Sequence, residues 1–149
     1  MGVNKISGVG LKNKKTNFDF EKLEVYKRAV DFANIVYKLT KNFPKNEQFG
    51  IVSQLRRASL SISLNIAEGT GRYNNPERRQ FYRMARSYIH ECVPLLELSF
   101  RQDYIDLKQH EELKQECVEL AKMVSGLINS LPTSRLHTPE GVANGGQAD

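Results

Sequence analysis

The chain has 149 residues, with 22 lysines and arginines against 17 acidic side chains and a net charge of +5. This length predicts one domain with a substantial hydrophobic core. No apolar run is long enough to span a membrane, and no short apolar targeting segment follows Met1. We therefore expect a cytoplasmic protein with no membrane partner.

The positive charge is distributed unevenly along the chain. Seven arginines lie from Arg56 to Arg86, against only Glu68 and Glu77, whereas residues 106–131 are net acidic. Such basic clustering favours an anionic partner, nucleic acid first. A solvated surface with some charge asymmetry is the alternative.

Both ends of the sequence have the composition of disordered tails. Residues 1–17 are rich in Gly, Asn and Lys, and residues 132–149 are rich in Pro, Thr, Ser and Gly. Neither has the apolar content needed to offset the entropy lost on ordering. The folded domain is therefore predicted at residues 18–131. The basic N-terminal tail is either an arm that orders on nucleic acid or an inert segment.

Four stretches repeat apolar residues at alternating steps of four and three. They begin at Val25, Ile51, Phe81 and Leu113, and no stretch alternates with period two. A period of 3.5 residues is typical of helices packed at small crossing angles. Because the connections are short, the sequence predicts an all-α fold, an antiparallel up-down-up-down four-helix bundle.

Local signals set the expected ends of these helices. Asn75 is predicted to cap the third helix ahead of Pro76, and Asp106 to cap the fourth. Gly69 is expected near the end of the second helix. Pro94 falls within the third, where it removes a backbone hydrogen bond and predicts a kink.

The second helix carries no charge from Ala58 to Ala67 and is apolar on two sides. One side belongs to the heptad seam, while Leu60, Leu64 and Ala67 lie roughly opposite it. A surface helix normally has one apolar stripe, so the second side is predicted to contact another subunit. Arg57 and Glu68 are expected at the edge of this interface, although phosphate contact is an alternative role for Arg57.

Arg79, Arg83 and Arg86 recur at steps of four and three on the third helix. A row of guanidinium groups on one helix face can neutralise successive phosphates. Tyr82 borders the row and is a candidate for stacking on a base. The alternative is that the arginines pair with neighbouring acids. The candidate nucleic-acid-binding residues are Arg72, Arg78, Arg79, Tyr82, Arg83 and Arg86.

No pattern in the sequence predicts catalysis, a metal or a cofactor. The three histidines are scattered, and Glu68 lacks a second acid or a nucleophile near it in the sequence. Asn65, at a seam position, is more typical of a buried amide that sets register. Cys92 and Cys117 lie at apolar helical positions and are predicted to be buried free thiols.

A series of motifs resembles a known family. These motifs are Phe20-Glu-Lys-Leu-Glu-Val-Tyr-Lys27, Phe43-Pro-Lys45, Ser53-Gln-Leu-Arg-Arg-Ala58, Asn65-Ile-Ala-Glu-Gly69, Arg79-Gln-Phe81 and Ala85-Arg-Ser87. They resemble the bacterial four-helix-bundle proteins of the 23S rRNA intervening sequences, which are similar to the accessory variability proteins of diversity-generating retroelements. The resemblance implies a non-enzymatic, ring-like homopentamer whose basic surface suits RNA or DNA.

Three hypotheses for function follow. The first is a homo-oligomeric bundle that binds RNA or another nucleic acid without catalysis. The second, suggested by the retroelement relatives, is an adaptor that binds a reverse transcriptase and its template RNA. The third is an enzyme, which would need a pocket that gathers Glu68, Asn65 and an arginine.

Overall fold

The computed structural model describes residues 17–133. Within this range the elements are α1 (Glu24–Thr40), α2 (Ile51–Thr70), α3 (Asn75–Arg101) and α4 (Leu107–Ser130), with short 3₁₀ turns at Asp19–Lys22 and Lys45–Glu47 and no strand. The expected all-α fold with four helices is confirmed for these residues. The two predicted tails fall almost entirely outside the described residues, so their disorder stays a prediction.

Side-chain contacts between helices fix the antiparallel arrangement. The Arg86 guanidinium donates to Ser125 Oγ at 3.3 Å and that of Arg79 to the Pro132 carbonyl at 3.4 Å, so α3 and α4 run in opposite directions. Arg56, near the start of α2, donates to Thr40 Oγ1 at the end of α1. The most extensive helix contact is between α2 and α3, and the least extensive direct contact is between α1 and α4.

The heptad positions of α1, α2 and α4 supply most of the core. On α3 the predicted line that begins at Phe81 is displaced by one residue at alternate steps, since Tyr82 and Leu96 are buried and Phe81 is only half-buried. Phe32, Leu55, Ile66, Leu96 and Leu120 have no exposed side-chain surface and belong to one continuous apolar cluster. Burying such a side chain contributes about 1.5–3 kcal/mol. Asn65 is also buried, as expected for a seam amide, and its Nδ2 donates to the Ser61 carbonyl.

One of the two predicted helix caps is confirmed and the other is wrong by one residue. Asp106 Oδ1 accepts from the backbone N–H of Gln109 at 2.7 Å, and Gln109 Oε1 accepts from the backbone N–H of Asp106 at 2.9 Å. At α3 the cap is Asn74 and not Asn75. Asn74 has extended backbone, and its side-chain oxygen accepts from the Glu77 amide at 2.9 Å. Asn75 is already helical and therefore cannot act as the cap.

Gly69 lies inside α2 where that helix approaches α3 closely. A Cβ atom at this position would lie 2.8 Å from a ring carbon of Tyr82 and 3.1 Å from the Cβ of Phe81. Carbon atoms pack at about 3.5–4.0 Å, so a side chain here would push the helices apart. The helix ends at Thr70, close to the expected position, with Gly71 as its C-cap.

Helix α3 continues through Pro94 to Arg101. Proline has no N–H to donate to the His90 carbonyl, so one backbone hydrogen bond is missing there. A bend of α3 at this point stays a prediction.

Candidate nucleic-acid interface

The arginine row lies along α3 on the flank that faces α4. Arg83 is exposed, whereas Arg79 and Arg86 are half-buried. Arg86 reaches Ser125 in the C-terminal half of α4, and Arg79 reaches Pro132 just beyond the end of that helix. From Arg79 to Arg86 the row spans seven steps of the helix, or about 10 Å. One strand of a duplex carries a phosphate about every 3.4 Å along its axis, so the row is long enough to meet several phosphates.

These three arginines have no carboxylate partner within residues 17–133. The ion pairs found there that join different helices involve Arg28 with Glu116 and Arg57 with Glu91. The neighbouring part of α4, from Ala121 to Ser130, contains Lys122 and no acid. The alternative interpretation, in which the row is neutralised by acids, therefore finds no support among the described residues.

Charge is segregated along the bundle. Residues 75–90 of α3 carry four arginines and one glutamate, a net +3, while residues 106–119 carry five acids and two lysines, a net −3. Because α3 and α4 are antiparallel, the basic half of α3 lies beside the C-terminal half of α4 and away from these acids. The flank of α3 beside the C-terminal half of α4 is therefore basic.

The expectation that Tyr82 stacks on a base is wrong. Its side chain is only 4% exposed, and its hydroxyl lies 2.8 Å from Thr70 Oγ1, within hydrogen-bonding distance. The cause is the close approach at Gly69, which brings α2 over the Tyr82 ring. Tyr82 is a core residue that fixes α2 against α3.

The remaining two candidate arginines hold the connection between α2 and α3. The Arg72 guanidinium lies over the Phe81 ring, 4.7 Å from its centroid, and pairs with Glu68 at 3.0 Å. Arg78 Nε donates to the Arg72 carbonyl. Both groups therefore have partners within the chain, yet their other N–H groups remain as potential phosphate donors because guanidinium has five.

Tyr73 is the exposed aromatic residue that sequence reasoning missed. It lies in the turn between α2 and α3, and its side chain is fully exposed. The other candidate residues were found by their helical spacing, and helical spacing gives no information about a residue in a turn such as Tyr73. The sequence feature that could have indicated its exposure is its position between Arg72 and Asn74, two polar residues just before the start of a helix.

The second apolar side of α2 is exposed within a single chain. Leu60 and Leu64 are 40% and 53% exposed, and Ala67 is half-buried. Arg57 is paired with Glu91 of α3 at 3.2 Å, so it is held by its own chain. The predicted interface thus has an uncovered apolar surface.

A groove of about 800 Å³ runs between α3 and α4 beside the row. Its sides include Val93 and Val118, and Arg86, His90 and Lys122 stand among its lining residues. It holds no obvious catalytic constellation, and within the described residues no group of three His, Cys, Asp or Glu side chains is placed to hold a metal ion. Asn65 is buried on α2 and Glu68 is paired with Arg72, so neither lines this groove.

Cys92 and Cys117 are buried and unbonded, as predicted. Burial raises the pKa of the Cys117 thiol to about 12 and raises that of Cys92 further still. Neither is activated for nucleophilic chemistry, because the thiolate is the reactive form. No helix in the described residues is long and apolar enough to cross a membrane.

Comparison with known proteins places this arrangement in a family. A solved structure of a protein of unknown function from the S23 ribosomal protein family of Bacteroides thetaiotaomicron matches with a TM-score of 0.64. The two are 25% identical, and the match covers 71% of this chain and 99% of that chain. No curated protein sequence matches the chain. The family model described as "23S rRNA-intervening sequence protein" matches residues 21–126, so the chain belongs to the 23S rRNA-intervening sequence protein family.

Proposed function

We propose that this protein is a non-catalytic RNA-binding bundle that acts as a homo-oligomer, a ring-like pentamer. The observation that carries the proposal is the row of Arg79, Arg83 and Arg86, which no described carboxylate neutralises. Arginine presents fixed N–H groups that suit phosphate, and its pKa keeps it charged at all physiological pH values. A row of uncompensated guanidinium groups beside an acid-free part of α4 therefore suits a polyanion.

The salt dependence of RNA binding tests this directly. Wild-type protein is compared with Arg79→Ala/Arg83→Ala/Arg86→Ala by titrating a structured, fluorescently labelled RNA across a salt series. Each lost phosphate contact should reduce the slope of log K against log salt by about 0.7–0.9, so the triple variant should lose about 2–3. The control Lys41→Ala/Lys45→Ala/Arg101→Ala removes the same charge at the other end of the bundle.

Two results would overturn the nucleic-acid proposal. One is wild-type binding no tighter than that of a neutral control protein at low salt. The other is an equal fall in slope for both triple variants, which would mean that total charge and not the row determines binding.

The oligomeric part of the proposal rests on Leu60 and Leu64. A closed ring needs a surface on each subunit that is buried against a different surface of the next. Leu64 is about half exposed in one chain, so Leu64→Glu should leave the monomer folded while placing an unpaired charge in the subunit contact. We expect light scattering to report smaller species for this variant.

Leu107→Glu is the matched control for that experiment. Leu107 is 54% exposed at the first position of α4, where a glutamate is compatible with the helix dipole. Its variant should keep the wild-type mass. A Leu64→Glu protein that is still fully assembled would contradict the predicted interface, and a wild type that is monomeric at working concentration would contradict oligomerisation.

A second candidate function is an adaptor whose main partner is a protein such as a reverse transcriptase. The groove between α3 and α4 favours it, because apolar walls near Val93 and Val118 flanked by cationic groups suit an acidic amphipathic helix. Gly126 lines this groove, and a Cβ added there would meet open space, so Gly126→Phe would fill the groove at little cost to the fold. If Gly126→Phe leaves RNA binding intact but abolishes capture of the protein partner, the adaptor function stands.

A further inference from the structure

Tyr73 exposes its entire ring to solvent. Its relative exposure is 102%, and within residues 17–133 it makes no aromatic, cation–π or side-chain hydrogen-bond contact. A tyrosine side chain offers a large apolar area, and burying that area is normally a main source of stability. The fold makes no use of this ring, so its position is better explained by contact with something outside the chain.

The turn that carries Tyr73 is held firmly on both sides. The Gly71 amide donates to the Ala67 carbonyl at 3.1 Å, and Asn74 caps α3. Between them, the Arg72 carbonyl accepts from the guanidinium of Arg78. The backbone on either side of Tyr73 is therefore fixed, and the ring is presented from a prearranged site, which lowers the entropic cost of binding.

The surroundings of this ring are cationic. Arg72 precedes it, Arg78 lies one turn into α3, and Arg79 begins the row that runs away from the turn. Of the acids near the turn, Glu68 is paired with Arg72 at 3.0 Å and Glu77 lies in the first turn of α3, so the three arginines are in excess. An exposed aromatic ring at the end of a track of cations is the combination that proteins use to bind single-stranded nucleic acid.

We propose that Tyr73 is a stacking site for an unpaired base, so that the preferred ligand is RNA with bases outside a duplex. The proposal rests on the proposed RNA binding and names its ligand class. Phosphates meet the arginine row, while a base at the end of the strand or in a loop lies on the Tyr73 ring. Bases inside a duplex are stacked on each other and offer no free face, so a perfect duplex gains only the phosphate contacts.

The test compares two RNA probes and three variants. The probes are a short fluorescein-labelled single strand of mixed sequence and the duplex formed with its complement, each measured by anisotropy. Tyr73→Ala should weaken single-strand binding about fivefold or more, leave duplex binding unchanged and keep the salt slope, because no phosphate contact is lost. Tyr73→Phe keeps the stacking ring and should bind the single strand like wild type.

Phe49→Ala is the matched control. Phe49 is 93% exposed but lies in the connection before α2, at the other end of that helix and about 30 Å from Tyr73. Its loss should not change either affinity. Because the chain has no tryptophan, Tyr73→Trp also provides a single fluorescent reporter whose emission should be quenched by the single strand and not by the duplex.

The experiment distinguishes a failure of the stacking proposal from a failure of the proposed RNA binding. If wild type binds the single strand with a steep salt dependence and Tyr73→Ala binds it equally well, stacking at Tyr73 is refuted while RNA binding stands. An equal loss for single strand and duplex would also refute stacking, because it would indicate a general disturbance of the site. If wild type binds neither probe, both proposals fail.

Discussion

The two glycines Gly69 and Gly126 should respond in opposite directions to the same substitution. Both are inside helices, where alanine is favoured over glycine by about 1 kcal/mol. At Gly126 a new Cβ meets no atom within 4 Å, so Gly126→Ala should raise the free energy of unfolding by about 0.5–1 kcal/mol. At Gly69 the same Cβ would lie 2.8 and 2.9 Å from two ring carbons of Tyr82.

The clash at Gly69 cannot be relieved cheaply. The Tyr82 ring is buried, and its hydroxyl is within hydrogen-bonding distance of Thr70, so it cannot swing aside. Overpacking of this kind costs typically 1–3 kcal/mol, and the rigid neighbour favours the upper part of that range. The gain in helix propensity offsets only a small part of this cost, because Gly69 is close to the end of α2. Gly69→Ala should therefore destabilise the protein by about 2 kcal/mol.

Urea denaturation followed by circular dichroism measures both effects. Protein concentration is held constant, because the stability of an oligomer depends on it. In a Tyr82→Ala background most of the cost of Gly69→Ala should disappear, since the two closest contacts are with the Tyr82 ring and only the 3.1 Å approach to the Phe81 Cβ is left. If Gly69→Ala instead stabilises the protein as Gly126→Ala does, the close approach of α2 and α3 is wrong.

Two further predictions concern the helix cap and the thiols. Asn74→Ala should reduce the free energy of unfolding by about 1 kcal/mol, because the Glu77 amide loses its acceptor. The control Asn75→Ala should change it by less than about 0.5 kcal/mol. Equal effects would contradict the observed cap. At pH 8, Cys92 and Cys117 should react with a thiol reagent slowly in the native protein and rapidly in denaturant, because burial raises the pKa of each thiol. Fast labelling of the native protein would contradict their burial.

The helices and the core positions of α1, α2 and α4 were predictable from the sequence because heptad spacing depends only on which residues are apolar. On α3 the predicted line that begins at Phe81 was wrong at alternate steps, because apolar neighbours in the sequence, such as Phe81 and Tyr82, fit either line equally well. The Asp106 cap was also predictable, since the cap and its partner Gln109 are three residues apart. The third helix start was off by one residue because Asn74 and Asn75 are the same residue type. Proline is compatible with either of the first two helical positions, so Pro76 did not decide between them.

The burial of Tyr82 and the exposure of Tyr73 could not be predicted from the sequence. Tyr82 lies at the margin of the arginine row, and whether such a position is covered depends on how closely the next helix approaches. That distance is set by a contact between Gly69 and the ring itself, which are thirteen residues apart. By contrast, the arginine row needed only local helical geometry, so sequence reasoning placed it correctly on one flank of α3.

The opposite charges of the arginine row on α3 and of the acids on the first half of α4 bear on the proposed binding of a polyanion. Helix α3 has 27 residues and is about 40 Å long, whereas the Debye length at physiological ionic strength is about 8 Å. Glu119 is the nearest acid of α4 and lies six residues, or about 9 Å along the helix, from Ser125, which Arg86 contacts. The row is therefore screened from most of the acids of α4, which do not cancel its field. In the proposed RNA binding, an approaching strand would be attracted to the arginine row and repelled by the acids of α4, which would orient the protein before contact. The overall charge of +5 is accordingly a poor guide to its association rate, which the local field around α3 determines.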